Sequence, residues 1–179
     1  MRSENLDGAV NQQERLPSEE CLAWFLAGLV EGEGSVCVCV KRHPTRPFGY
    51  YVQPEFFIYQ HRSRVALLDM AKEYFGAGRI RPKPGNPDVL VYSILSRAVL
   101  HERVLPFFED YMQYSARTAD YEKFAAVVRM LMAGVHHVPA GLALIVEIAY
   151  SMNMAGKQRR TPREEILGRI LRGHMPDAP

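Results

Sequence analysis

The sequence predicts an α+β fold: an antiparallel four-stranded sheet in the order α-ββ-α-ββ-α, followed by additional C-terminal helices. Three observations predict it. An apolar helical run changes at Gly34 to alternation with a period of two, a second hairpin pattern follows a helix of its own, and from Ser96 onward the patterns are helical. The 179 residues are 47% hydrophobic and 23% charged, enough for a core and without the bias of a disordered chain. We read 1–17 as a polar leader and 18–179 as a single domain, with a C-terminal loop and helix at about 154–172.

Ser18 is a candidate N-cap, and Glu19 and Glu20 in the first turn complement the helix dipole. That helix is expected to run to about Gly32. Its middle, CLAWFLAGLV, is apolar on every side and therefore needs cover from two directions. Its own sheet supplies one cover. A second copy of the helix supplies the other, unless the helix lies wholly inside one core. Gly28 and Gly32, four residues apart, let two helix backbones approach closely.

Beyond Gly34, Val36, Val38 and Val40 alternate with Cys37, Cys39 and Lys41. A Pro- and Arg-rich loop, RHPTRPFG, leads into a second strand over Tyr50–Gln60. Tyr51, Gln53, Glu55, Phe57 and Tyr59 share one face of it, and Val52, Pro54, Phe56 and Ile58 the other. A helix follows from about Ser63 to Phe75 and ends on Gly76 or Gly78. Arg79–Lys83, a turn at PGNPD and Val89–Leu95 make the second hairpin. Ser96 opens a helix that meets Pro106. Thr118 opens one to about Met132, and Pro139 or Ala140 one to about Asn153. Thr161, Pro162 and Glu164 read as a capping box, with proline at the first position of a terminal helix.

Charge is uneven. Between Val36 and Arg97, 10 Lys and Arg face 4 acids, so a segment of charge +6 sits in a chain of net charge +2. Arg79, Arg81 and Lys83 share a strand face, as do Tyr51, Gln53 and Glu55. A sheet face bearing Arg, Lys, Gln, Tyr and His supplies phosphate contacts and base-edge hydrogen bonds, which points to nucleic acid. The longest uncharged helical stretch is about half of what a bilayer needs, so no membrane is expected. The three cysteines fit neither a disulfide framework nor a CxxC knuckle, which favours an intracellular, reducing compartment, cytoplasm or organelle matrix. His136 and His137 have no third ligand spaced to join them and are read as loop or helix-end residues.

Phe25 to Ser35 reads FLAGLVEGEGS, and Leu26, Ala27, Gly28, Leu29, Val30, Glu31, Gly32, Glu33, Gly34 and Ser35 fall in order on the signature that this stretch resembles, that of the LAGLIDADG homing endonucleases. The likeness continues over roughly Cys21 to Leu171. It implies the mixed α/β fold of that family and, because one motif is present, a homodimer whose motif helices pack at the symmetry axis. Trp24, Ala27, Gly28, Glu31 and Gly32 are then the interface. It implies a site-specific double-strand break in a long pseudo-palindromic DNA, with Glu33 and the Gly32 carbonyl holding Mg²⁺ or Mn²⁺. The physics agrees: a carboxylate just past a helix C-terminus is disfavoured by the dipole, and a cation relieves that penalty.

The resemblance also places polar active-site residues at the end of the first hairpin, where Gln60 would orient water and Arg64 neutralise phosphate. The resemblance assigns base reading to the sheet face of Cys37, Cys39, Lys41, His43, Arg46, Tyr51, Gln53, Glu55, Phe57, Tyr59, Arg62, Arg79, Arg81 and Lys83. Cys37, Cys39 and Phe57 read equally as ordinary strand residues. Lys157, Arg159, Arg160 and Thr161 meet phosphates, or else form an ordinary basic loop. The family usually carries Asp where this chain has Glu31 and Glu33. It often places a lysine before the helix that starts here near Thr118, where Arg117 is the nearest cation and would stabilise charge without donating a proton. The free-standing length, without intein splice-junction residues at its ends, points to an intron-encoded protein. An RNA-splicing maturase binding intron RNA, or a non-cleaving DNA-binding regulator, would use the same fold. A protein-interaction module would leave the basic sheet face unexplained.

Overall fold

The computed structural model describes residues 18–153 and 161–172. Helix α1 spans Glu19–Glu33, and the Ser18 hydroxyl accepts from the Cys21 amide at 3.2 Å, the cap its sequence predicts. Strand β1 (Gly34–Arg42) follows with no intervening loop. A short 3₁₀ turn at Pro47–Gly49 leads into β2 (Tyr50–His61). Next come α2 (Val65–Phe75), which ends on the left-handed Gly76, and the strands β3 (Arg79–Lys83) and β4 (Asn86–Ile94).

The four strands form one antiparallel sheet in the order β1-β2-β4-β3. The register runs Gly34↔Ile58 to Arg42↔Tyr50 in the first hairpin, and β2 joins β4 through Phe56↔Ile94 to His61↔Val89. The second turn is tighter than PGNPD suggests. Gly85, at φ +78°, lets two residues close it, and β4 begins at Asn86. Pro87 is tolerated in the strand because it lies beyond the last β2 partner of β4.

The inner face of the sheet presents Val36, Val38, Val52, Phe56, Ile58, Tyr92 and Ile94, all buried. Helices α1, α2 and α5 (Thr118–Met132) pack on it. Phe56 is the hub, meeting Phe75 and Phe108 edge-on with ring centroids 5.5 Å apart in each case. Each such fully buried side chain contributes roughly 1.5–3 kcal/mol of apolar transfer.

The helix opened by Ser96 does not stop at Pro106. Helix α3 (Arg97–Val99) continues through a π-helical turn, Leu100–Val104, into α4 (Leu105–Tyr111). The wider turn comes just before the proline, whose ring supplies no N–H for the next rung. Helix α6 spans Pro139–Tyr150 and α7 spans Arg163–Leu171. Pro162 is the N-cap of α7 and lies outside its first turn. The expected capping box does not form: Glu164 instead holds the Arg163 guanidinium at 3.0 Å. No helix among the described residues is long and apolar enough to cross a membrane.

Candidate functional site

The site grows from the abrupt junction of α1 and β1. Gly34 caps α1, and its N–H donates to the Val30 carbonyl. A Cβ at Gly34 would lie 2.5 Å from that carbonyl oxygen, so only glycine lets the chain leave the helix straight into a strand. Glu33 is therefore exposed on the last helical residue, beside the exposed Gly32. The donors there are a carboxylate and helix-end carbonyls, an all-oxygen set that fits a hard divalent cation.

Two contacts hold this junction from behind. The Arg117 guanidinium donates to the Gly34 carbonyl, which ties the cation named by sequence to the residue that follows the motif acid. The Glu31 carboxylate accepts from the Ser115 hydroxyl and from the Ala116 N–H at 3.3 Å. Glu31 thus pins the turn ahead of α5 to the helix of its own subunit. Thr118 and Arg117 close the same turn, the Thr118 hydroxyl donating to the Ser115 carbonyl at 2.7 Å and the Arg117 N–H to the Ser115 hydroxyl at 2.9 Å.

Gln60 lies two residues beyond Ile58, the partner of Gly34, which sets its strand end beside the junction. It is nearly buried, on the strand face of Phe56 and Ile58. Arg64 is exposed in the 3₁₀ turn that continues β2, and Arg62 in that turn pairs with Asp88 at 3.6 Å.

Helix α1 presents two unlike faces. Ala23, Leu26, Ala27 and Val30 are buried, while Trp24 and Phe25 are 44% and 51% exposed. Ala27, expected at the interface, faces the subunit's own core: side chains at Ala23, Leu26, Ala27 and Val30 follow one helical stripe. Phe25, which sequence reasoning passed over, belongs to the open stripe with Trp24, Gly28 and Gly32, and its i+3 spacing to Gly28 is the signal that would have found it. A Cβ at Gly28 or Gly32 would meet nothing within 4 Å, so nothing inside the subunit requires glycine there. Trp24 leans edge-on against Tyr111 at 5.0 Å.

The outer face of the sheet is organised unequally. On β2, Gln53 and Glu55 are only 8% and 9% exposed. The Gln53 amide donates to the Leu95 carbonyl at 2.7 Å and to the Pro54 carbonyl at 2.9 Å, and the Tyr51 hydroxyl donates to its oxygen. These bonds occupy the groups that Gln53 would offer to adenine. Lys41 pairs with Glu55 at 3.5 Å. Cys37 and Cys39 are half-buried and share a hydrogen bond, which raises the first thiol's pKa and lowers the second's. Phe57 and Tyr59 are half-buried with rings 6.0 Å apart, Lys83 sits 5.4 Å over the Tyr59 ring, and burial raises the Tyr59 phenol. Arg79, Arg81, Lys83 and His43 are exposed.

One cluster was not legible. Arg46, Tyr51, Arg97, His136 and His137 line a cleft at the end of the first hairpin. Arg46 and Arg97 lie 5.5 and 5.7 Å over the Tyr51 ring. The Arg97 guanidinium donates to the Val52 carbonyl at 2.8 Å and faces His136 Nε2 at 3.4 Å. Burial holds His136 below the usual imidazole range. Lys157, Arg159 and Arg160 lie outside the described residues. Thr161 is half-buried, its carbonyl accepting from the Tyr150 hydroxyl at 2.7 Å.

The profile of LAGLIDADG endonucleases matches residues 26–128, from the motif helix into α5 and over more than half of the chain. This chain belongs to the LAGLIDADG endonuclease family. It is 46% identical over 88 residues to DNA endonuclease I-CeuI of Chlamydomonas moewusii, covering 49% of this chain and 40% of that protein. It is 30% identical to probable intron-encoded endonuclease 3 of Neurospora crassa, covering 73% of this chain and 24% of the relative. The matched regions thus span less than half the length of these two relatives. Among solved structures, the group I intron-encoded homing endonuclease I-CeuI complexed with DNA superposes with a TM-score of 0.80 at 31% identity, covering 88% of this chain and 79% of that one. The homing endonuclease I-TnaI gives a TM-score of 0.70 at 33% identity, covering 84% and 95%. The LAGLIDADG sheet and motif helix described above are therefore the family's own architecture.

Proposed function

We propose that this chain is an intron-encoded homing endonuclease that acts as a homodimer and makes a site-specific, Mg²⁺-dependent double-strand break in a long pseudo-palindromic DNA. The observation that carries the reading is the α1–β1 junction. Glu33 stands exposed at a helix end, Arg117 is bonded to the next carbonyl, and an open apolar helix face adjoins them. Relatives described as intron-encoded endonucleases, and a DNA complex on the same fold, support it.

Glu33 and the Gly32 carbonyl would hold the divalent cation, which when bound stabilises charge on the scissile phosphate and lowers the pKa of water. The chain's own residues supply the rest. Arg117 adds fixed positive charge beside the acid, and a guanidinium bonded to a carbonyl keeps further N–H groups for phosphate oxygens. Arg64, exposed past the end of β2, is a second phosphate contact. Gln60, nearly buried, fixes the strand end and offers its amide to the attacking water. Pairing two open α1 faces would bring two Glu33 carboxylates together, one for each DNA strand. The three thiols are free, which suits a reducing compartment.

The test is incubation of the protein with a pool of long duplex DNAs, with Mg²⁺ or with chelator, and mapping of the ends. Metal-dependent double-strand ends at one sequence are the expected outcome. DNA retained without ends would replace the endonuclease with a regulator, and retention of intron RNA alone would replace it with a maturase.

A further inference from the structure

The open sheet face holds a donor set that the proposed cleavage chemistry leaves unused. Cys37 and Cys39 stand two residues apart on β1, and Glu55 of β2 is the register partner of Cys37. The two sulfurs lie 3.8 Å apart, and Glu55 Oε2 is 3.8 Å from Cys37 Sγ and 3.7 Å from Cys39 Sγ. A tetrahedral zinc ion holds thiolate sulfur at about 2.3 Å and carboxylate oxygen at about 2.0–2.2 Å, which sets S···S near ~3.8 Å and S···O near ~3.6 Å. The three observed separations are the edges of such a tetrahedron within about 0.2 Å, the tolerance expected of a built metal site.

We propose that Cys37, Cys39 and Glu55 form a second metal site, which takes one thiophilic divalent cation of the zinc class and leaves the fourth position open on the exposed side of the sheet. The Lys41 ammonium does not block it, because it lies 3.5 Å from Oε1, the oxygen that does not face the thiols. The two sites of the chain sort cations by softness. Thiolates favour zinc and exclude magnesium, whereas the all-oxygen donors at Glu33 and Gly32 suit the hard ion. A cation on the sheet ties the three side chains together and takes them out of base reading, so occupancy acts on target recognition and not on the scissile phosphate.

The experiment is anaerobic titration of the reduced, metal-free protein with Co²⁺. One equivalent per chain is expected to give a sulfur-to-cobalt charge-transfer band with the intense visible bands of tetrahedral cobalt, and one equivalent of Zn²⁺ to bleach both. The C37S/C39S double variant loses the spectrum and E55Q weakens binding at least tenfold, while C21S and E33Q leave it unchanged. In the unsubstituted chain, Zn²⁺ slows alkylation of Cys37 and Cys39 and not of Cys21, read by mass spectrometry, which keeps the test independent of how the serine variant folds. A cobalt complex without the charge-transfer band, one that survives C37S/C39S, one lost in C21S, or alkylation of Cys37 and Cys39 indifferent to Zn²⁺ overturns the proposal.

Discussion

The two faces of α1 are built from the same kinds of residue and do opposite things. Ala23, Leu26, Ala27 and Val30 fill the subunit core, whereas Trp24 and Phe25 remain about half exposed, and Gly28 and Gly32 have open space where side chains would stand. Hydrophobicity alone does not separate them. Contact does: the inner residues have partners supplied by the subunit, whereas at Gly28 and Gly32 nothing within the subunit demands their small size. The lesson is that a glycine is informative when nothing in its own chain requires it. Gly34 is the contrasting case, because a Cβ there would lie 2.5 Å from the Val30 carbonyl oxygen.

The sharpest break in this comparison lies at the helix end, where both faces meet. Glu33→Gln is expected to reduce cleavage by on the order of 10³-fold or more while duplex binding persists, because it removes a charged oxygen donor without changing shape. Single-turnover cleavage beside gel retention checks it, and cutting at the parent rate would remove Glu33 from the mechanism. Leu26→Ala on the inner face should cost about 2–5 kcal/mol, read as a lower denaturant midpoint at unchanged slope. Phe25→Ala on the outer face should leave subunit unfolding nearly unchanged and weaken self-association, and an equal loss at both sites would show that the faces do not differ.

Two smaller effects sharpen the contrast. Ser115→Ala removes the hydroxyl bonded to Glu31 and should destabilise the subunit by about 1–2 kcal/mol. Gly28→Leu should stabilise an isolated subunit by about 0.5–1 kcal/mol through helix propensity, and yet convert a dimer to a monomer in light scattering. A dimer that persists in Gly28→Leu would defeat the packing proposal.

The elements were legible because periodicity changes sharply at Gly34 and again at Ser96, and because Ser18, Gly76 and Gly85 act locally. The junction was legible too, since Glu33 and Gly34 are neighbours in the chain. What escaped depends on long-range contact. A helix apolar all round carries little phase of its own, so the inward turn of Ala27 was not legible, and the outward turn of Phe25 showed only in its spacing to Gly28. Gln53 is withdrawn from the open face by the Leu95 carbonyl, 42 residues away. Arg97 and His136 meet only because α3 and the turn before α6 both pack against α5. Ser96 opens a helix that meets Pro106, but the π-helical turn that carries the chain past the proline was not legible.

The bonds from Ser115, Ala116 and Arg117 to Glu31 and Gly34 assign the aim of the acid to a part of the chain more than 80 residues away. The motif supplies the carboxylate, and the turn ahead of α5 acts as the fixture against which it is registered. In the proposed endonuclease the cut is therefore open to retuning from outside the motif: lengthening that turn by a residue would shift the junction that carries the carboxylate without touching the helix that bears it.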